Sequence, residues 1–200
     1  ECIQKRNAPF IVFEGIDGSG TTTASKWFVK QAIKNNISSI WTCEPWKNSE
    51  IKSRLLNERN AYDNAERMLD LYVTDRINHG KKLINPSLQD GILVSTDRYR
   101  MSSDCYQTTQ GLSEKLVLAK QDHPGIFTAD ITFVFDISFN EAQRRKELRG
   151  EPTEKFEKDP TFIKKLIAKH KYFAQEGKNN SALYGQVVII NANQNFEDVS

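Results

Sequence analysis

The sequence predicts an α/β protein built around a parallel sheet, and three observations lead to that fold class. Short apolar runs alternate with longer amphipathic stretches, which is typical of strands joined by crossover helices. The apolar runs are continuous, as expected for strands that are buried on both faces. A glycine-rich turn separates the first apolar run from the first amphipathic stretch. We therefore expect three layers, with a five-stranded parallel sheet and helices on both of its faces.

The five strand candidates are rich in β-branched and aromatic residues, which favour extended structure. In chain order they cover residues 10–13, 39–42, 92–95, 131–135 and 187–190. Because helical stretches separate them, their connections are predicted to be right-handed crossovers between parallel strands.

Two helix candidates come early in the chain. The stretch 22–35 follows the glycine-rich turn directly, and the stretch 65–84 carries apolar residues at helical spacing along one face.

The helix candidates near the C-terminus are marked by capping residues. Asp159 followed by Pro160 predicts a helix N-terminus, and Gly177 is expected to cap the C-terminal end of the same helix. His170 falls on the apolar stripe of this helix, where we expect it to be packed in the core. The segment 195–200 is expected to begin another helix.

Composition limits the classes of function. The 200 residues, 38% hydrophobic and 27% charged, predict one compact soluble domain over 1–200. Lys and Arg total 28 against 26 Asp and Glu, a balance that argues against a nucleic-acid or membrane-surface partner. No secretory leader is visible, and no apolar run reaches membrane-spanning length. Three scattered cysteines and three histidines predict a cytoplasmic protein without a structural metal.

The glycine-rich turn resembles a phosphate-binding loop. Gly15, Gly20 and Thr22 fit the pattern G-x-x-x-x-G-K-[ST], although Thr21 stands where that pattern has lysine. Backbone amides in such a turn surround phosphate oxygens, and the following helix presents its positive end to the same anion. The alternative is a tight turn without a ligand, but three glycines in this span are entropically unfavourable for an ordinary turn.

Thr21 removes a positive charge that the pattern normally aims at the transferring phosphate. One well-placed electrostatic group contributes about 2.7–4 kcal/mol to lowering the barrier. Phosphate binding itself does not require that lysine, since the amides and the helix terminus remain. Lys26 lies one helical turn beyond Thr22 and is expected to point away from the loop.

An arginine falls on the apolar face of the second helix candidate. Arg76 lies one turn after Tyr72, and an inward guanidinium needs an acceptor. Two interpretations remain open. Arg76 pairs with a carboxylate for structural reasons, or Tyr72 and Arg76 together hold a planar base.

Charged residues end the third strand candidate. Ligands of open α/β sheets bind at the carboxyl ends of the strands, so Asp97 and Arg98 are expected beside the phosphate loop. Arg98 suits bidentate binding of a phosphate. Asp97 either organises magnesium through water or pairs with Arg98.

A basic cluster, 144–149, leads into a loop that begins at Gly150. Such a cluster is either a solvated helix face or part of a mobile lid, here about 144–158, which brings arginine onto the phosphates.

Taken together, the motifs resemble the thymidylate kinase family over nearly the whole chain. The segments 10–20, 42–45, 71–76 and 97–107 match the family's phosphate loop, its glutamate-proline segment, its base-binding segment and its Asp-Arg-Tyr signature in order and spacing. Cys43 departs from the family's arginine. The resemblance implies a P-loop NTPase fold and transfer of the γ-phosphoryl group of ATP to dTMP, with Mg²⁺.

The resemblance also implies a set of site residues. Those expected at the ATP phosphates are Gly15, Asp17, Gly18, Ser19, Gly20, Thr21, Thr22 and Thr23. Those expected at dTMP are Pro45, Tyr72, Arg76, Arg98, Ser102, Ser103, Tyr106 and Gln107. Catalytic roles are implied for Asp17, Arg98, Arg145 and Arg149, with the choice between the two lid arginines left open. Thr22 and, through water, Asp97 are expected to hold magnesium.

Particular roles follow for the acceptor site. By resemblance, Tyr72 stacks on thymine, Arg76 donates to the carbonyl edge of the base, and Arg98 holds the monophosphate. Tyr106 crowds the 2′ position and Pro45 borders the space for the thymine methyl group. The family is commonly homodimeric. Another nucleoside or nucleotide kinase, or a catalytically impaired nucleotide-binding relative, remains the alternative.

Overall fold

The computed structural model describes residues 6–150 and 154–194. Its sheet has five strands, all parallel, in the order β2-β3-β1-β4-β5. The strands are β1 Phe10–Gly15, β2 Ser39–Cys43, β3 Leu93–Asp97, β4 Ile131–Asp136 and β5 Gln186–Asn191. The predicted parallel sheet is therefore confirmed, with small differences at the strand ends.

Helices connect the strands and cover both faces of the sheet. They are α1 Thr21–Lys34, α2 Ser49–Asn57, α3 Ala65–His79, α4 Asn85–Gln89, α5 Arg100–Thr109, α6 Glu114–Gln121, α7 Phe139–Arg149, α8 Pro160–Asn179 and α9 Ser181–Tyr184. A π-helical turn, Gly80–Ile84, separates α3 from α4, so the helix predicted over 65–84 is interrupted. A 3₁₀ turn, Lys155–Lys158, precedes α8.

The central strand β1 packs on both of its faces. Phe10 meets the ring of Tyr99 edge-on at 5.0 Å on one face. Phe13 points to the other face, where its ring lies 5.8 Å from Phe28 of α1. Phe13 is paired in register with Asp97 of β3, so the carboxyl ends of β1 and β3 meet at one edge of the sheet. That edge is where both sequence motifs were predicted to lie.

One predicted cap is wrong. Gly177 lies inside α8, and a Cβ at that position would come within 2.7 Å of Val187 and 2.8 Å of Tyr184. The glycine therefore serves the close approach of α8 to the neighbouring strand and helix, and α8 continues to Asn179. At the other end the prediction is confirmed, since the Asp159 carboxylate accepts hydrogen bonds from the amides of Thr161 and Phe162.

His170 is packed in the core, as its position on the apolar stripe predicts. Its Nδ1 lies 2.9 Å from the carbonyl oxygen of Leu166, and burial lowers the pKa of the imidazole to about 4. The helix predicted over 195–200 lies outside the described residues. Within 6–150 and 154–194, no helix has both the length and the apolar character needed to cross a bilayer.

Candidate active site

The glycine-rich loop connects the end of β1 to the start of α1. Gly18 has φ +86°, and a Cβ there would lie 2.6 Å from the carbonyl oxygen of Ala142, so only glycine fits. Gly20 precedes α1 in a left-handed conformation and provides no side-chain cap. The backbone amides of the first turn of α1 therefore remain available to an anion.

A hydroxyl and a carboxylate meet beside this loop. The Thr22 hydroxyl donates a hydrogen bond to Oδ2 of Asp97. Among the described residues, neither Oδ1 of Asp97 nor Oγ of Ser19, both of which are buried, has a hydrogen-bond partner. Hydroxyl and carboxylate oxygens of this kind suit Mg²⁺, which prefers oxygen ligands and retains bound water.

Arg98 pairs with Asp17, and this decides one open question. Its Nη2 donates to the Asp17 carboxylate, and its Nη1 donates to the carbonyl oxygen of Gly15 at 2.8 Å. The alternative in which Asp97 pairs with Arg98 is therefore wrong, because the guanidinium turns toward the phosphate loop. Burial raises the pKa of Asp17, but the field and hydrogen bond of Arg98 outweigh it and lower the pKa overall.

A cavity of about 440 Å³ opens next to Arg98 and Asp17. All of the side chains predicted at the acceptor nucleotide line it: Pro45, Tyr72, Arg76, Arg98, Ser102, Ser103, Tyr106 and Gln107. Oε1 of Gln107 is buried there, and it has no hydrogen-bond partner within the part of the chain that the structure describes. The fold thus brings together residues from four separate segments of the chain.

Arg76 forms the carboxylate pair that one of the two interpretations predicts, and it also lines the cavity; its contact with a base stays a prediction. Its guanidinium pairs with Glu44 at 2.7 Å, and the side chains are only 1% and 4% exposed. It also donates to Oγ of Ser103 at 3.1 Å and to the carbonyl oxygen of Tyr99 at 2.9 Å. The same residue lines the cavity. The salt bridge therefore fixes the guanidinium at the cavity wall.

Residues of α3 also hold the loop that follows β2. The Asp75 carboxylate accepts hydrogen bonds from the backbone amides of Trp46 and Lys47. His79 lies 3.1 Å from Oε1 of Glu44 through its Nδ1, and its ring stacks on Trp46 with centroids 5.1 Å apart. The Glu44-Pro45 peptide bond in this loop is cis.

Several of the residues that line the cavity were not predicted from the sequence. The cavity is also lined by Glu44, Trp46, Lys47, Lys52, Glu154 and Phe156. An aromatic and a lysine directly after the Glu-Pro pair were an available signal for Trp46 and Lys47. No local pattern indicated Phe156, whose ring stacks on Phe162 at 5.1 Å and meets Tyr106 at 5.0 Å.

A second cleft, of about 340 Å³, lies on the other side of the phosphate loop. Its lining includes Gly18, Ser19, Gly20, Thr23, Arg145 and Arg149. Arg145 donates to the carbonyl oxygens of Ala192 at 2.8 Å and Ser19 at 3.4 Å. Fields from Lys146 and Arg149 also contribute to the lowered pKa of Asp17.

The basic cluster lies beside the second cleft and is partly exposed. Arg144 is exposed and pairs with Glu141 at 2.7 Å. Arg144, Arg145 and Arg149 all line the cleft, and Arg145 contacts the phosphate loop through the carbonyl oxygen of Ser19. Within the predicted lid of 144–158, residues 151–153 lie outside the described residues. Lys155 is buried, and its ammonium contacts the Glu58 carboxylate, which ties the end of this segment to the rest of the fold.

The position of the absent lysine is filled by a buried threonine. Thr21 is the first residue of α1. Lys26 places its ammonium 4.4 Å from the centre of the Trp41 ring, away from the loop as predicted. Among the described residues that line the second cleft, the cations are arginines from α7.

A phosphate loop between two clefts, with an aspartate at the end of the neighbouring strand, defines a nucleotide kinase of the P-loop class. The sequence profile described as thymidylate kinase matches residues 13–200. The chain therefore belongs to the thymidylate kinase family.

Curated relatives agree with this assignment. The thymidylate kinase of Mycoplasma capricolum is 29% identical over 201 residues, which cover 95% of this chain and 90% of the relative. A protein of Methanocaldococcus jannaschii named "Probable thymidylate kinase" is 33% identical over 192 residues, with 95% and 90% covered. The thymidylate kinase of Desulfotalea psychrophila is 32% identical over 151 residues, with 74% and 73% covered.

Proposed function

We propose that the protein is an ATP-dependent dTMP kinase that transfers the γ-phosphoryl group of ATP to dTMP, giving dTDP and ADP. The observation that carries the proposal is the cavity at Asp17, where the predicted acceptor residues converge. Family membership supports the same reaction. A phosphate oxygen of dTMP attacks the γ-phosphorus, and the bond to the bridging oxygen of ADP breaks.

The acceptor is held by its base and by its phosphate. Tyr72 provides an aromatic face for thymine, and Arg76, fixed by Glu44, donates to the carbonyl edge of the base. Arg98 binds the monophosphate, for which a guanidinium offers two parallel donors. The hydroxyl of Tyr106 lies 3.4 Å from Nη1 of Arg98, a position that narrows the space beside the sugar.

The donor phosphates are held by the loop 15–23 and the N-terminus of α1. Thr22 and Asp97 are the residues that would hold Mg²⁺, and the unpartnered Oδ1 of Asp97 fits that role. When bound, the ion neutralises charge on the phosphates of ATP. Pro45, Ser102, Ser103 and Gln107 complete the acceptor wall.

Catalysis rests on position and charge, because phosphoryl transfer requires little covalent chemistry from the protein. Asp17 lies in the acceptor cavity, and the adjoining Gly18 lines the donor cleft, so the two substrates meet at this pair. Arg98 approaches from the acceptor side. Arg145 and Arg149 approach from the donor side and add positive charge there, although neither occupies the position of Thr21.

ADP release with a panel of nucleoside monophosphates tests the proposed reaction. We expect dTMP to give the highest kcat/KM, with dUMP and the purine monophosphates below it. A clear preference for a purine would contradict the proposal and favour another nucleotide kinase.

The buried Thr21 favours one other candidate, a nucleotide-binding relative with little turnover. Calorimetry together with the ADP-release assay separates the two candidates. The impaired relative would bind ATP and dTMP but would release no ADP even at high enzyme concentration. A homodimer and a cytoplasmic location are further expectations from the family. Light scattering and cell fractionation test them.

A further inference from the structure

A carboxylate that the reaction does not use lies directly before the phosphate loop. Glu14 is in the central strand β1 and is fully buried. Within residues 6–150 and 154–194, no cationic nitrogen comes within ion-pair distance of its carboxylate. A buried, unpaired carboxylate is unfavourable unless hydrogen bonds satisfy it.

Three donors satisfy the Glu14 carboxylate, and they come from the residue before α5 and from the first turn of that helix. Oε1 accepts from the backbone amides of Tyr99 at 2.9 Å and Ser102 at 3.2 Å. Oε2 accepts from the Ser102 hydroxyl at 2.6 Å. The side chain of Tyr99, the N-cap residue of α5, does not cap the helix. Glu14 acts as the cap instead, although it belongs to the strand β1.

The turn that Glu14 holds is strained and carries the phosphate-binding arginine. Arg98 has φ +66°, a left-handed conformation that a non-glycine residue adopts only when its surroundings enforce it. The residues 13–15 of β1 hold Arg98 in this conformation. The carbonyl oxygen of Phe13 accepts from the Arg98 amide at 2.8 Å, and that of Gly15 accepts from its guanidinium at 2.8 Å. Glu14 lies between Phe13 and Gly15 in the strand, and its carboxylate holds the residues that follow Arg98.

We propose that Glu14 is a positioning residue for phosphoryl transfer, which locks the acceptor-binding turn 98–102 to the strand that carries the donor-binding loop. This inference rests on the proposed function, because it assigns acceptor binding to Arg98. The carboxylate lines neither the acceptor cavity nor the donor cleft and acts through Arg98 and Ser102. Its ionised form accepts all three hydrogen bonds, whereas a protonated carboxyl loses one acceptor position.

The surroundings of Glu14 make its charge sensitive to pH. Burial raises its pKa to about 7, against lowering contributions from Ser102, Arg98 and Tyr99. The other ionisable groups that face it are Arg98 from the turn, Arg76 from α3 and Cys105 from α5. The pKa of each of these three is raised above its usual value, so none of them exchanges a proton near neutrality.

The test compares wild type with Glu14→Gln, which keeps the shape and removes the charge. Calorimetry measures the Kd of dTMP and of the ATP analogue AMP-PNP between pH 6 and pH 8. At pH 8 we expect about a tenfold weaker Kd for dTMP, from one lost charge-assisted hydrogen bond, and an unchanged Kd for AMP-PNP. Glu114→Gln on α6 is the control that removes a carboxylate far from the turn.

The ratio of the two dTMP affinities is the decisive quantity, because the phosphate of dTMP titrates identically with both proteins. The ratio should shrink toward one as the pH falls below 7, where wild-type Glu14 becomes neutral. A ratio that is constant with pH, or an equal loss for both nucleotides, overturns the inference and leaves a structural role. If wild type does not bind dTMP at all, the proposed function fails instead.

A second measurement uses only the wild-type protein, so it tests the proposal even if Glu14→Gln does not fold. The pKa of Glu14 is followed in wild type by carbon NMR, with and without dTMP. Linkage requires that dTMP lower this pKa if the ionised form binds it better. A pKa that dTMP leaves unchanged or raises contradicts the proposal.

Discussion

The Arg76 guanidinium forms a salt bridge with the Glu44 carboxylate at 2.7 Å, in a region where both side chains are almost completely buried. The pair joins α3 to the loop after β2, and the same guanidinium lines the acceptor cavity. The contact therefore joins two parts of the fold and also fixes the guanidinium at the wall of the cavity. His79 supports the pair from the other oxygen of Glu44.

Glu44→Gln should destabilise the protein and weaken acceptor binding. Breaking a buried ion pair leaves the remaining charge uncompensated, at a cost of about 3 kcal/mol. Urea denaturation measures the free energy of unfolding, and steady-state kinetics measure the KM for dTMP. Glu50→Gln is the matched control, because Glu50 pairs with Arg54 at the surface, where water screens the charges, and this variant should lose much less stability. Equal losses in the two variants would contradict the role given to the buried pair.

Arg98→Lys should lower kcat/KM for dTMP by about a hundredfold, since an ammonium cannot reproduce a bidentate contact with phosphate. The KM for ATP should stay within a factor of about two, because the donor cleft does not include this residue. Arg67→Lys on α3 is the control and should leave both constants unchanged, because Arg67 is exposed, pairs with Glu50 and lines neither the acceptor cavity nor the donor cleft. A variant that loses ATP and dTMP affinity equally would show that Arg98 does not act on the acceptor alone.

Thr21→Lys should raise kcat, because it restores a positive charge to the phosphate loop. The gain expected from one well-aimed electrostatic group is up to about a hundredfold. Single-turnover measurements with ATP and dTMP report the chemical step directly. Lys26→Ala serves as the control, since its ammonium rests on Trp41 and should not affect the rate. An unchanged rate in Thr21→Lys would indicate that arginines of α7 already supply the needed charge.

Asp97→Asn should increase the Mg²⁺ concentration required for half-maximal activity by about tenfold, as for loss of an outer-shell metal partner. The reason is the contact between Asp97 and Thr22, whose oxygens are the ones expected at the ion. Activity is titrated with Mg²⁺ at fixed nucleotide concentrations. Asp136→Asn, at the end of β4, is the control because Asp136 pairs with Lys171 instead. The expectation fails if both variants require the same Mg²⁺ concentration as wild type.

His170 should make the folded state less stable in acid. Burial lowers its pKa from 6.5 to about 4, so the folded protein binds this proton more weakly than the unfolded chain. Neutral His170 therefore contributes up to about 3 kcal/mol to the free energy of unfolding. This contribution is fully present above pH 6.5 and is lost as the pH falls toward 4. The difference in unfolding free energy between wild type and His170→Gln, measured from pH 4 to pH 8, isolates it. A difference independent of pH would contradict the assignment.

The sequence alone was sufficient for features that depend on local pattern. Continuous apolar runs predicted β1 and β4, and the spacing of Gly15, Gly20 and Thr22 predicted the turn between β1 and α1. A strand that is buried on both faces needs apolar residues throughout, and a left-handed turn needs glycine. Both requirements are therefore visible in the residue types at those positions. The carboxyl ends of parallel strands share one edge, so the meeting of this turn with Asp97 also followed.

Other features were decided only by the tertiary structure. Arg98 pairs with Asp17 and not with its neighbour Asp97, and Glu14 caps a helix from another strand. Gly177 looked like a helix end but serves a close contact with Val187. Each depends on partners far away in the chain, and the energy of a buried charge or a close approach is set by what surrounds it in space. Residue type and spacing therefore predicted the motif residues of the site, whereas packing determined which of them are joined and added others, such as Phe156.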